Sequence, residues 1–208
     1  MRFDGIFFDL DGTLWDASEG IALSWRQVLA EQPDFTRTLT MEDIDGCMGL
    51  TEEQIEEKLF PDFPPARQKE LFDLCIQREC EYLRVHGGKL FPNVPEVLEK
   101  LSAQVPLFIV SNCESGYIEC FLEAHQMHGY FRDFECIGNT GLSKAENIRL
   151  VAQRNGIQNP VYVGDTIWDK EAADGAGVPY IFAAYGFGNV ENCPRIETFA
   201  ALWEELNQ

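Results

Sequence analysis

Positive charge is scarce in this chain: 16 lysines and arginines face 35 aspartates and glutamates, for a formal net charge of -19. So acidic a surface repels nucleic acid and anionic lipid at long range, which argues against both as partners. Any anionic substrate must therefore be drawn in by a local positive feature, such as a metal ion, a lysine or a helix N-terminus. Long apolar runs are missing as well. The longest, such as PLFIVS from Pro106, are far too short to cross a bilayer. No signal peptide is read at the start, because MRFDGIFFDLDG places acids inside its apolar run. A cytoplasmic location is the expectation. The seven cysteines are odd in number, scattered, and contain no C-x-x-C, so neither a disulfide framework nor a zinc site is suggested. None of them opens the C-x5-R pattern of a cysteine phosphatase, and no G-x-S-x-G occurs. The three histidines, His86, His125 and His128, match no catalytic spacing and are expected at the surface.

What is present suits one good core, or a core with a smaller second lobe: 208 residues, 45% of them apolar. The C-terminal half alternates regularly. Buried strands are expected at 106–111, 134–138, 160–165 and 179–186, with helical spacing between them. Ile118, Phe121 and Leu122 share one helix face, and Ile148, Val151 and Ala152 share another, with Gly156 placed as its C-cap. A last helix is expected from about Glu197 to Leu206. The N-terminal DGIFFD supplies one more short strand. Such alternation implies right-handed βαβ units and an α/β fold: a Rossmann-like, three-layer α/β/α core around a parallel sheet. Between Ala17 and Gly88 the strand-like runs stop and helical stretches take over, with Thr40 and Thr51 placed as N-caps. Residues 1–16 and 89–208 are thus expected to form the core, and 17–88 an inserted all-helical cap domain.

Ligands of parallel sheets lie beyond the carboxyl ends of the strands. Asp9, Ser111 and Asp165 each end an apolar run, so they should share one rim. In DLDGT, Asp9 and Asp11 lie two residues apart just past a buried strand. A lone D-x-D is usually a solvated turn, but acids after IFF must find a partner. Gly12 lets the chain turn sharply there, and Thr13 can hydrogen-bond a carboxylate. In VGDTIWD, Asp169 follows Asp165 by one helical turn, so both can face one metal. Carboxylates without His or Cys suit Mg2+. Ser111 and Asn112 can hold phosphate oxygens, though alone they would be an ordinary helix cap. Lys144 opens a helix, where the dipole disfavours a cation; a nearby carboxylate cluster would explain it. GNTGLSK is not a Walker A loop, since Ser143 stands where the second glycine must be.

FFDLDGTL, VSN, a lysine opening a helix and VGDTIWD together resemble the four ordered motifs of the haloacid dehalogenase superfamily of phosphohydrolases. The helical insert is placed like that family's cap, and AYGFG with the overall layout is most similar to phosphoglycolate phosphatases. The resemblance implies that Asp9 is the nucleophile and forms an aspartyl phosphate. It implies that Asp11 is the acid and base, and that Mg2+ sits on Asp9, the Asp11 carbonyl and Asp165, with Asp169 close by. Ser111 and Lys144 would hold phosphoryl oxygens, and Asn112 and Thr13 are expected with them in the phosphate-binding set. The implied substrate is a small phosphorylated metabolite, turned over by a monomer or homodimer. A phosphomutase would use the same motifs. A phospho-aspartate receiver is disfavoured by the D-x-D-G-T and the insert, and an inactive binding relative by the full set of catalytic positions. Trp15 and Trp168 are expected in the core, while the Gly-rich turn at 45–53 either reaches the substrate or merely joins two helices.

Overall fold

The computed structural model describes residues 2–207. The first strand, β1 (Gly5–Phe8), is buried along its length, and a two-residue strand, β2 (Trp15–Asp16), follows it. Four helices come next: α1 (Ser18–Ala30), α2 (Met41–Asp45), α3 (Glu52–Leu59) and α4 (Pro65–His86). A second two-residue strand, β3 (Lys89–Leu90), then runs antiparallel to β2, Trp15 facing Leu90 and Asp16 facing Lys89. After it come α5 (Val94–Ser102), β4 (Leu107–Ser111), α6 (Tyr117–Ala124) and β5 (Phe131–Cys136). A single helical turn, α7 (Ile137–Thr140), leads into α8 (Lys144–Asn155), β6 (Pro160–Gly164) and α9 (Ile167–Ala176). The strands β7 (Tyr180–Ala183) and β8 (Arg195–Ile196), a 3-10 turn (Phe199–Ala201) and α10 (Leu202–Glu205) complete the described chain.

Six strands form one parallel sheet in the order β5-β4-β1-β6-β7-β8. Successive side chains of a strand face opposite sides, and here both sides are covered. Ile6 and Phe8 enter one apolar cluster, whereas Phe7 enters the other, stacked on Phe108 with ring centroids 4.6 Å apart. The chain starts at β1, builds outward through β4 and β5, then returns to the far side of β1 as β6. The central strand is therefore flanked by β4 and β6, and the three strand ends meet at this reversal.

Local signals set the helix ends. Thr40 and Ser143 accept hydrogen bonds from the third residue of the helices they cap. Gly156 ends α8 at φ 71°, the left-handed position a side chain disfavours. Asp16 opens α1: its Oδ1 accepts from the Ser18 amide at 3.0 Å and from the Ser18 hydroxyl at 2.6 Å. The ribbon β2–β3 ties together the two points at which residues 17–88 leave and rejoin the sheet-forming chain.

Four expectations are corrected. β5 begins at Phe131 and stops at Cys136, because Gly138 packs so tightly on the Glu114–Ser115 backbone that the chain must turn there. The last helix is broken into a 3-10 turn and α10, a geometry that buries Phe199, Leu202 and Leu206 together. Trp168 lies on the surface, 43% exposed, while Trp15 is fully buried as expected. His125 is not a surface residue: its half-buried ring stands edge-on to Trp15 at 5.6 Å, and burial pushes its basicity down. No helix among the described residues is long and apolar enough to cross a membrane.

Candidate active site

The expected site residues Asp9, Ser111 and Asp165 lie at the ends of β1, β4 and β6. Asp9 follows β1 directly, and its amide donates to Val163 O at 2.9 Å, so the ladder continues one residue into the site. The chain then turns at Gly12, φ 77°, where a Cβ would overlap the Asp165 carboxylate. Close approach, as much as the turn, requires glycine here. Beyond β6, Gly164 lets the first turn of α9 come down on the strand: a Cβ there would stand 2.6 Å from the Asp169 side chain.

These turns bring carboxylate oxygens of Asp9, Asp165 and Asp169 within 4.8 Å of one another, all three buried. Lys144, also buried at 4% exposure, donates to Asp9 Oδ1 at 3.0 Å and to Asp169 Oδ1 at 2.6 Å. This pairing explains a lysine at a helix N-terminus: two carboxylates outweigh the unfavourable dipole. Burial works against the ammonium, yet Asp169 and Asp9 together still push its proton affinity up. Asp169 is fully committed. Its Oδ2 accepts from the amides of Asp165 and Thr166 at 3.1 and 2.9 Å and from the Thr166 hydroxyl at 2.7 Å. Asp165 Oδ2 accepts from the Phe187 amide at 2.7 Å. Burial, then the charge of Asp169, pushes the Asp9 carboxyl up to about 6, against the pull of Lys144 and the Ser111 hydroxyl. Burial and the charges of Asp169 and Asp9 raise Asp165 well above the ordinary carboxylate range.

Asp11 stands apart from this cluster. Its half-buried carboxylate accepts from the Tyr117 hydroxyl at 2.9 Å, and burial with the neighbouring Asp9 pushes it up to about 7. Thr13 is buried with its hydroxyl 3.5 Å from Asp165 Oδ1, behind the cavity rather than in its wall. Ser111 and Asn112 do line the cavity, together with Asp9 and Asp11. The Gly-rich turn reaches down to them: Asn112 Nδ2 donates to Gly49 O at 3.2 Å, and Met48, Gly49 and Leu50 form part of the wall. The cavity, about 90 Å³, lies between these loops and helices α1 and α4.

Among the cavity residues that the sequence does not single out are Tyr117, Trp25, Glu79 and Glu114. Glu79 is 3% exposed and accepts from Trp25 Nε1 at 2.5 Å. A glutamate on an otherwise apolar helix stripe was the available signal, since such a group must be partnered or functional.

The chain matches the family described as "Haloacid dehalogenase-like hydrolase" over residues 6–183. It is 29% identical over 208 residues to the phosphoglycolate phosphatase of Escherichia coli (strain K12), a match spanning 88% of this chain and 82% of that one. It is 29% identical over 203 residues to a 5'-nucleotidase of Pseudomonas aeruginosa, spanning 91% of this chain and 86% of that one. Its fold superposes with TM-score 0.86 on the crystal structure of a predicted phosphoglycolate phosphatase from Haemophilus somnus, at 22% identity, covering 100% of this chain and 99% of the other. The carboxylate cluster at the end of β1 is thus set in a known framework, and the chain belongs to the haloacid dehalogenase-like hydrolase family.

Proposed function

We propose that this hydrolase is a Mg2+-dependent phosphatase of a small phosphomonoester and works through an aspartyl phosphate on Asp9. One observation carries the reading: three buried carboxylates face a single buried ammonium, Lys144, and the excess is two negative charges. A divalent cation fits that excess, and an all-carboxylate donor set suits Mg2+ rather than zinc or copper. Asp9 and Asp165 would hold it with Asp169 close by: Asp169 Oδ1 takes the Lys144 ammonium and its Oδ2 takes three hydrogen bonds, whereas each oxygen of Asp165 takes one. When bound, Mg2+ supplies positive charge that offsets the negative charge gathering on the phosphoryl oxygens.

The chain's own residues supply the rest. Lys144 holds Asp9 by one oxygen and leaves the other to attack phosphorus. The P–O bond to the alcohol breaks as the Asp9–phosphorus bond forms. Asp11, outside the cluster and in the cavity wall, hands its proton to the departing alkoxide. As a carboxylate it then takes a proton from the water that attacks the aspartyl phosphate, returning Asp9 to its starting form. Ser111 and Asn112 bind phosphoryl oxygens at the end of β4. Asp169 acts as a positioning residue, fixing the Lys144 ammonium from behind. Residues 17–88 serve as the cap, and the 45–53 turn carries its wall down to Asn112.

Hydrolysis of p-nitrophenyl phosphate tests this reading. Activity should require Mg2+, vanish in EDTA and return on Mg2+ addition. Asp9→Asn should lower kcat by about 1000-fold or more, as expected for loss of a covalent nucleophile. An Asp9→Asn variant with unchanged kcat excludes the mechanism.

A further inference from the structure

The cavity that receives the alcohol portion of the substrate has a distinctive charge pattern. No lysine, arginine or histidine lines it among the described residues, whereas Asp9, Asp11, Glu52, Glu79 and Glu114 do. Lys69, whose charge reaches Glu114 at the rim, is taken up by Glu52 at 2.5 Å and Asp73 at 3.2 Å. Lys144 is equally engaged, by Asp9 and Asp169. An anionic group on the alcohol would therefore be desolvated with no cation to meet it.

Glu79 sharpens the point. It projects from α4 beside Trp25 of α1, buried, and among the described residues its carboxyl receives one hydrogen bond, from Trp25 Nε1 to Oε2. Oε1 has no hydrogen-bond partner among the described residues, and Glu79 lines the cavity. We propose that Glu79 and Trp25 form a leaving-group subsite that selects phosphomonoesters whose short alcohol ends in a hydrogen-bond donor, hydroxyl or ammonium, and rejects those ending in a carboxylate. The inference rests on the phosphatase reading and adds the substrate class to it. Burial and the charge of Asp11 push Glu79 well above the ordinary carboxylate range. The same burial and the same neighbouring acids disfavour a second carboxylate in the cavity. The cavity is open on one side and encloses about 90 Å³, so the part of the alcohol that it holds is short, about two or three carbons, and a larger leaving group must extend out of it. The chain thus departs in specificity from the phosphoglycolate phosphatases it is similar to.

Three phosphate esters of equal length decide the matter: 2-hydroxyethyl phosphate, 2-aminoethyl phosphate and 2-phosphoglycolate. With Mg2+ present, kcat/KM for one of the first two should exceed that for 2-phosphoglycolate by about tenfold or more, the least expected of one uncompensated charge out of water. Whichever of the two is faster identifies the donor as hydroxyl or ammonium. In Glu79→Leu, which removes both carboxyl oxygens, the preference over 2-phosphoglycolate should shrink by about fivefold or more. A ratio taken on one preparation is independent of how much of the variant is folded. A wild type that prefers 2-phosphoglycolate while cleaving p-nitrophenyl phosphate overturns the subsite and leaves the phosphatase reading intact. An unchanged ratio in Glu79→Leu does the same. If none of these esters nor p-nitrophenyl phosphate is cleaved, the phosphatase reading falls and the subsite falls with it.

Discussion

Replacing Lys144 with Met measures how strongly the active site depends on its single buried cation. In the metal-free protein the ammonium is hydrogen-bonded to two carboxylates, at 3.0 and 2.6 Å, whose side chains are 5% and 0% exposed. Methionine fills similar space but leaves both acids without a counter-charge. A hydrogen bond to a charged group contributes about 1.5–3 kcal/mol, and breaking a buried ion pair from one side costs about 3–5 kcal/mol. The lower figure sums the interactions lost, and the upper includes the charge left behind. Urea unfolding in EDTA should therefore show a loss of about 3–5 kcal/mol for Lys144→Met, as a lower midpoint with unchanged slope. The triple variant Asp9→Asn, Lys144→Met, Asp169→Asn removes all three charges and should recover most of that loss, because a neutral set carries no stranded charge. A Lys144→Met loss below about 1 kcal/mol, the range of an exposed pair, would refute the buried-pair reasoning. So would a triple variant no more stable than the single one.

Two further outcomes follow from the same geometry. Glu79 has a raised proton affinity in the folded protein, so the native state retains a proton that the unfolded chain releases; stability falls as pH rises above the ordinary value of 4.5. Urea midpoints of wild type and Glu79→Gln, compared at about pH 5 and about pH 7.5, should diverge with rising pH in favour of the variant; parallel curves would show that Glu79 ionises freely. Gly12→Ala combines a left-handed φ of 77° with a Cβ driven into the Asp165 carboxylate, and should cost more than the roughly 1–2 kcal/mol of backbone strain alone. Gly12→Asn, which tolerates that φ but carries the same Cβ, should lose Mg2+-dependent activity as fully; an active Asn variant would show that the turn alone required glycine.

The residues that could be read from the chain are those whose placement the backbone dictates. Asp9 and Asp165 each end an apolar run, and a parallel strand that stops at an acid delivers it to the sheet's rim whatever surrounds it. Lys144 was legible as an anomaly, a cation at the wrong end of a helix, with the explanation 25 residues away in Asp169. Strands of two residues, β2, β3 and β8, are too short to show any periodicity, and only their partners define them. Trp168 is apolar, but its direction on the helix carries it to the surface. The capping box at Thr166 turns Asp169 inward, and a residue one position away on a helix points about 100° elsewhere, here to solvent. Tyr117, Trp25 and Glu79 were hidden for the opposite reason. Each lies on the buried stripe of a helix, where an aromatic that packs and one that lines a cavity have the same spacing, and a glutamate such as Glu79 in QRECEYLRVHG resembles a surface acid. Only the docking of α1 against α4 brings Trp25 and Glu79 within 2.5 Å and faces them toward Asp11. The carboxylate cluster is thus set by strand ends, whereas the wall of the cavity is set by helix faces whose meeting depends on the whole fold. A short motif can therefore identify the chemistry and still be silent on the substrate.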